Sequence, residues 1–137
     1  MLSVPEIVRS LLSSVVDVAP GGVVVGPASL DEQEAGCVAL NEQGLGARTG
    51  NVPLVRHRMA ARCLAPTLEQ AERIASAVFD VLHQKGRRVA AQLSTGKKYL
   101  VHWTEVRGGP TALEGEERGI WEEVVMIEAL VGTEEVV

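Results

Sequence analysis

The sequence predicts an α+β fold: a mixed, mainly antiparallel sheet with two helices packed on one face and a β-hairpin among its strands. Three observations lead there. Two segments place apolar residues at helical spacing directly behind capping residues. Several others alternate with a period of two, as half-buried strands do. The elements also run in the order helix, short strands, strand, helix, hairpin, strand, with no internal repeat, so residues 1–137 read as one domain.

The first helix opens at Ser3-Val4-Pro5-Glu6, with Ser3 as cap, Glu6 three residues on and Pro5 in the first turn, where a missing N–H does no harm. Val4, Ile7, Val8, Leu11, Leu12 and Val15 form its apolar stripe until Pro20-Gly21-Gly22 ends it. Val23-Val24-Val25 is a short strand stopped by Gly26-Pro27, residues 29–35 are polar and acidic, and Gly36-Cys37-Val38-Ala39-Leu40 is a second strand. Residues 41–51 read as a loop holding Gly44, Gly46, Gly50 and Arg48, and a loop that long in a compact domain is functional or mobile.

The best-specified unit runs from 52 to 86. Val55, His57, Met59, Ala61 and Cys63 alternate with Arg56, Arg58 and Arg62, so one face of this strand meets a core and the other meets water or a partner. Ala65-Pro66-Thr67 breaks it and starts the second helix. Thr67 and Gln70 stand in capping positions, and Leu68, Ala71, Ile74, Ala75, Val78, Phe79 and Leu82 form the stripe, with Gly86 as terminator. Val89–Leu93 and Tyr99–Val106 then make a hairpin with a basic tip at Lys97. Arg107-Gly108-Gly109-Pro110 is a break, and 111–119 an acidic connector. Residues 120–131 form a strand, with Ile120, Val124, Met126 and Leu130 on one face and Trp121, Val125, Ile127, Ala129 and Val131 on the other. Both faces are largely apolar, which predicts a central position or a subunit contact. Residues 132–137 are expected to fray.

At 137 residues the chain is long enough to bury roughly two-thirds of its unfolded surface. Four aromatics and a net charge of −5 argue against a general nucleic-acid reader. That net charge conceals a division: residues 53–110 hold ten bases against four acids, while the flanks hold six acids against two bases and eight against one. A basic middle between acidic ends suits pairing within a chain or head to tail between copies. Two cysteines make no disulfide framework, the start lacks the charge and apolar run of a signal peptide, and no run of about eighteen apolar residues offers a membrane span. The expectation is an intracellular product with reduced thiols.

Chemical motifs fail on spacing. Gly44-Leu45-Gly46 begins a dinucleotide fingerprint, but the third required glycine position is Thr49. Gly96-Lys97 resembles the end of a P-loop, yet the earlier glycine falls on Ala91 and Lys98 replaces the hydroxyl residue. Cys63 and His57 are six residues apart on one strand face, roughly 20 Å, too far for a nucleophile and its base. His57, His83 and His102 lack metal-ligand spacing, and Glu116-Glu117 and Glu122-Glu123 read as exposed acidic surface. The sequence therefore predicts no enzyme, no cofactor and no metal site.

The overall pattern resembles the tail-terminator (minor capsid, tail-completion) family of long-tailed bacteriophages. The likeness rests on the capped first helix, the glycine-containing loop, Val55-Arg56-His57-Arg58-Met59, the Ala65-Pro66-Thr67 break, the helix from Glu69, and Gly108-Gly109-Pro110-Thr111-Ala112-Leu113-Glu114-Gly115 before a terminal strand. It spans roughly residues 2–131. The resemblance implies a virion protein assembled as a homohexameric ring, which caps the tail tube, ends its polymerisation and receives the head–tail connector. Its partners would be itself, the tube protein and the connector, with DNA only as cargo through the ring and no membrane. Its place would be the tail or neck of the virion, after assembly in the host cytoplasm. No catalytic residues carry over. Arg87, Arg88, Lys97 and Lys98 are expected to meet the acids of a neighbour from Glu114 through Glu116 and Glu117 to Glu123. The loop with Gly44, Gly46 and Arg48 is expected to order against the tube or connector. The rival reading is a small-ligand-binding or regulatory α+β module forming a dimer.

Overall fold

The computed structural model describes residues 2–42, 47–48, 53–114 and 119–136, with the side chains of 47–48 and 110–114 left aside. It is an α+β fold built on one mostly antiparallel sheet. Helix α1 (Val4–Leu11) runs into a 3-10 helix (Ser13–Asp17), and strand β1 (Val23–Val25), helix α2 (Leu30–Ala35) and β2 (Cys37–Glu42) follow. Then come β3 (Ala47–Arg48), β4 (Leu54–Ala65), α3 (Leu68–Leu82), β5 (Arg88–Ala91), β6 (Lys98–Glu114) and β7 (Trp121–Val136). The sheet order is β1-β2-β4-β7-β6-β5, with β3 pairing on β4; the β1–β2 pair is parallel and the others antiparallel.

The alternation in β4 and β7 decides which face is covered. His57, Met59, Ala61, Cys63 and Ala65 point to the helices, as do Val125, Ile127, Ala129 and Val131 across the β4–β7 pair. Against them α1 and the 3-10 helix set Val4, Ile7, Val8, Leu12 and Val15, and α3 sets Ala71, Ile74, Ala75, Val78 and Leu82. Ile7, Ile74, Met59 and Leu82 are fully buried, each contributing about 1.5–3 kcal/mol of transfer free energy. A smaller cluster of Cys37, Ala39, Leu64 and Ile120 lies on the opposite face at the β1–β2 end, with Val24 and Ala28 against it.

Several local expectations change. The acidic stretch 29–35 is a helix: Ser29 Oγ accepts from Glu32 N, and Ser29 N donates to Glu32 Oε1, making a complete capping box. None of its residues is buried, so periodicity gave no sign of it. At α1, Ser3 Oγ does not cap; Ser3 N donates to Gln92 Oε1, while Glu6 accepts from Ser94 N and Oγ, which fastens the β5–β6 turn to the helix. Thr67 does cap α3 by accepting from Gln70 N, but the Gln70 amide donates to Ala35 O at the end of α2. The left-handed residue after α3 is Gln84 (φ 51°), and not Gly86. Phe79 is exposed and stacks on His83 at 4.3 Å.

The expected break at Arg107-Gly108-Gly109-Pro110 lies inside β6. Register shifts against β7 on both sides of Gly108 absorb extra residues as bulges, a position where proline's missing donor is tolerated. Gly109 has φ 90°, and a Cβ there would stand 2.3 Å from Val124 O, so this bulge needs glycine. Residues expected to fray continue β7 to Val136, which pairs with Lys98. As expected, β7 is central, between β4 and β6.

Candidate assembly surface

The face of β4, β7 and β6 turned away from α1 and α3 carries the most concentrated polar chemistry of the described residues. Strand register sets it out in rows. Arg56, Leu130 and Trp103 stand side by side across the three strands, then Arg58, Glu128 and Glu105, then Ala60, Met126 and Gly108. Arg62 follows beside Val124. Rows two residues apart on a strand are separated by about 7 Å, so this strip spans roughly 20 Å.

Its electrostatic centre is Glu128, buried to 7% exposure. Its carboxylate lies 3.5 Å from Arg56 Nε, 3.3 Å from Arg58 Nε and 3.8 Å from Arg107 Nε. Arg107 comes from the bulge beside Gly108 and also reaches Glu105 at 2.8 Å. Arg62 makes a two-bond fork with Glu122 at 2.8 and 2.9 Å, which holds its guanidinium firmly charged. Four arginines thus face three carboxylates. The heads of Arg56, Arg58 and Arg107 are more than half exposed, so the surplus positive charge is presented to solvent.

Beside the Arg56 row, Gly132 leaves a gap in the sheet surface. A depression of about 320 Å³ opens there, with Leu54, Leu100, His102, Glu134 and Val136 around it. Trp103 is 38% exposed next to this depression. Trp103, Met126 and the arginines of the strip are residue types enriched in protein interfaces, while the depression itself is lined by apolar side chains, His102 and the carboxylates of Glu134 and Glu135. A second depression, of about 370 Å³, lies between Arg9, Leu12, Val16, Gly22, Glu32 and Leu93.

The residues singled out from sequence are not gathered in one place. Arg87, Lys97 and Lys98 are exposed around the β5–β6 hairpin. Arg88 is engaged within its own chain, donating to Val81 O and to Thr104 Oγ1 beneath the sheet edge, and burial lowers its pKa. Glu114 ends β6 opposite Trp121, and Arg48 pairs with Val55 in β3. Glu116, Glu117, Gly44 and Gly46 lie outside the described residues. Of the other acids, Glu122 is bound to Arg62 and Glu123 points into the helix-covered side, where burial and then the nearby Glu72 raise its pKa. The strip that sequence reasoning did not assign was signalled by Arg56, Arg58 and Arg62 at alternate positions; Arg107 had no such sign, because its bulge places it.

Both thiols are buried, and burial raises Cys37 to about 11 and Cys63 further, so neither is a thiolate at neutral pH. His57 is buried on the core face with its Nε2 3.2 Å from Glu42 Oε1, although neither ring nitrogen makes a well-directed hydrogen bond. Among the described residues, no three His, Cys, Asp or Glu side chains stand together as metal ligands, and no helix is long and apolar enough to cross a membrane.

No protein-family model matches this sequence, and no curated protein does. Among solved structures, the fold is similar to that of a chain in the virion of a native gene transfer agent (GTA) particle, with a TM-score of 0.61 and 15% identity over 95% of each chain. At that identity the likeness is one of fold, and it extends over nearly the whole of both chains.

Proposed function

We propose that this chain is a structural protein of a virion-like particle, and that it acts by assembly and not by turnover. The observation that carries the reading is the shared fold with a chain of a gene transfer agent virion over 95% of both molecules. The helix-free strip of arginines, Met126, Leu130 and Trp103 supports it, since a sheet face of this composition suits a protein partner. In the finer form of the proposal the chain caps the end of a tail tube as a homohexameric ring, stops polymerisation and gives the head connector a docking face. Copies of itself, the tube protein and the connector are then its partners, and DNA only passes through. A heterologous contact closes into a ring when its rotation permits.

Light scattering over a wide concentration range tests this. A six-subunit species is the expected result. A stable dimer whose melting temperature rises with a metabolite would replace it with the ligand-binding reading, and the depression beside Arg9 and Glu32 is where that ligand would sit. A chain that stays monomeric even with isolated tail tubes would overturn the proposal.

A further inference from the structure

Glu123 is a buried charge that its own chain leaves unmatched. It stands at 5% exposure on the helix-covered face of β7, between Cys63 of β4 and Ala112 of β6, with no hydrogen bond or ion pair to any described residue. The charge acting on it is Glu72 of α3, an exposed carboxylate that also lacks a partner among the described residues. Glu72, Ser76, Phe79 and His83 follow one another at helical spacing along one flank of α3. That flank faces β6, because His83 Nδ1 accepts from Val106 N. Past Val106, the outer edge of β6 has no strand beside it among the described residues, so the sheet does not close this side of the two carboxylates. A buried carboxylate beside a second one is costly until a cation completes the pair.

Matching cations stand at the other end of the sheet. Lys97 and Lys98, at the tip of the β5–β6 hairpin, are exposed and make no ion pair with any described residue. The tip that carries them is already fixed in shape: Ser94 N and Oγ donate to Glu6, and Ser3 N donates to Gln92 Oε1. A loop ordered beforehand loses less freedom on binding. Fourteen positions of β6 separate Lys98 from Ala112, the neighbour of Glu123, which is roughly 40 Å of strand. The two charge sets therefore cannot meet within one chain. Pairing them between copies uses a different patch on each partner, which is a head-to-tail contact. A lysine fits the carboxylates better than a metal ion, since among the described residues no third ligating side chain stands with them. We infer that the β5–β6 hairpin tip of one copy docks at the α3–β6 rim of the next, with Lys97 meeting Glu72 and Glu123 and Lys98 beside it. The inference rests on the assembly reading above and names the two ends that make the contact.

Zero-length carbodiimide coupling tests the pairing, because it joins a lysine to a carboxylate only where the two touch. Mass spectrometry of the assembled wild type is expected to find Lys97 joined to Glu72 or Glu123, and a mixture of isotope-labelled and unlabelled chains should yield labelled–unlabelled pairs. Lys97→Ala with Lys98→Ala disables the tip, and Glu72→Gln with Glu123→Gln disables the rim; circular dichroism melting of the dilute chains checks that each still folds. Sedimentation velocity is expected to show each variant dissociating at concentrations more than about tenfold above wild type. An equimolar mixture should give a dimer that neither variant forms alone, because one intact tip and one intact rim remain. A wild type that assembles without the cross-link, variants that assemble like wild type, or a mixture that stays monomeric would overturn this pairing and leave the ring reading in place. A wild-type chain that does not associate, alone or on isolated tail tubes, would remove both. If wild type binds calcium, Glu72→Gln with Glu123→Gln abolishes that binding and self-association is unchanged, the two carboxylates are a cation site and the inference fails.

Discussion

Replacing Glu128 by glutamine separates two accounts of the helix-free face. The substitution keeps shape and burial and removes the one charge shared by Arg56, Arg58 and Arg107, at 3.5, 3.3 and 3.8 Å. Those arginine side chains are 52, 69 and 55% exposed, so each pair is screened and contributes about 0.2–1 kcal/mol. Three pairs on one carboxylate do not add in full, because the guanidiniums repel one another. We expect Glu128→Gln to cost about 1–2 kcal/mol in urea unfolding at low salt, or roughly 4 °C in melting temperature per kcal/mol. Raising the salt from about 0.1 M to 1 M shortens the screening length from about 10 Å to 3 Å, so at least half of the cost should disappear. A double-mutant cycle with Arg58→Gln should return a coupling of about 0.3–1 kcal/mol. If Glu128→Gln is neutral or stabilising at low salt, the cost of burying the carboxylate outweighs its three partners. A loss that does not change with salt would refute the electrostatic account altogether.

Other consequences can be measured directly. Glu123 has a raised pKa, so the folded state holds its proton more tightly than the unfolded chain does, and stability is lost as pH rises through the folded pKa. Glu123→Gln should therefore melt higher than wild type at pH 7, with the difference closing as pH falls through the carboxylate range. Gly109→Ala should destabilise by about 3 kcal/mol or more, from φ 90° and a Cβ 2.3 Å from Val124 O. Gly108→Ala, whose Cβ meets nothing nearer than Met126 at 3.8 Å, should change stability by less than about 1 kcal/mol in the same urea titration. Iodoacetamide at pH 8 should leave Cys37 and Cys63 unmodified in the folded protein and label both in urea, since burial keeps the thiols protonated.

The parts legible in the sequence are those whose cause is local and periodic. The 3.6 period of α3 and the twofold alternation of β4 both reflect burial on one side, and burial is what shaped the core. The division of β7 into two apolar faces read correctly as a strand with neighbours on both edges. What failed to show had a non-local or non-apolar cause. α2 has no buried side, so only Ser29 and Glu32 betray it. Glycines and a proline at 108–110 look like the end of a strand, but β7 pairs straight through them by way of bulges. Ser3 and Glu6 form a capping signature that the fold uses differently, because Gln92 and Ser94 arrive from nearly ninety positions away. The arginine strip was visible as three alternate arginines, yet their shared carboxylate Glu128 becomes apparent only when β4 and β7 are in register.

That register bears on how the protein is made. The last of these strands in chain order, β7, lies inside the sheet, pairing with β4 from Leu54–Gly132 through Ala65–Trp121 and with β6 on its other edge. Until it emerges, β4 has only β2 and β3 beside it, and the sheet exists as two halves with an open seam between them. Each half exposes an unpaired edge and half of the core, which invites pairing with other nascent chains. Closing the seam joins residues from 56 (Ala65–Trp121) to 78 (Leu54–Gly132) positions apart, so this step should be slow compared with helix formation. Glu122 and Glu128, which order the guanidiniums of the helix-free strip, arrive on that same strand. The strip is therefore incomplete on any unfinished chain, and a subunit can offer it to a neighbour only after its own sheet has closed.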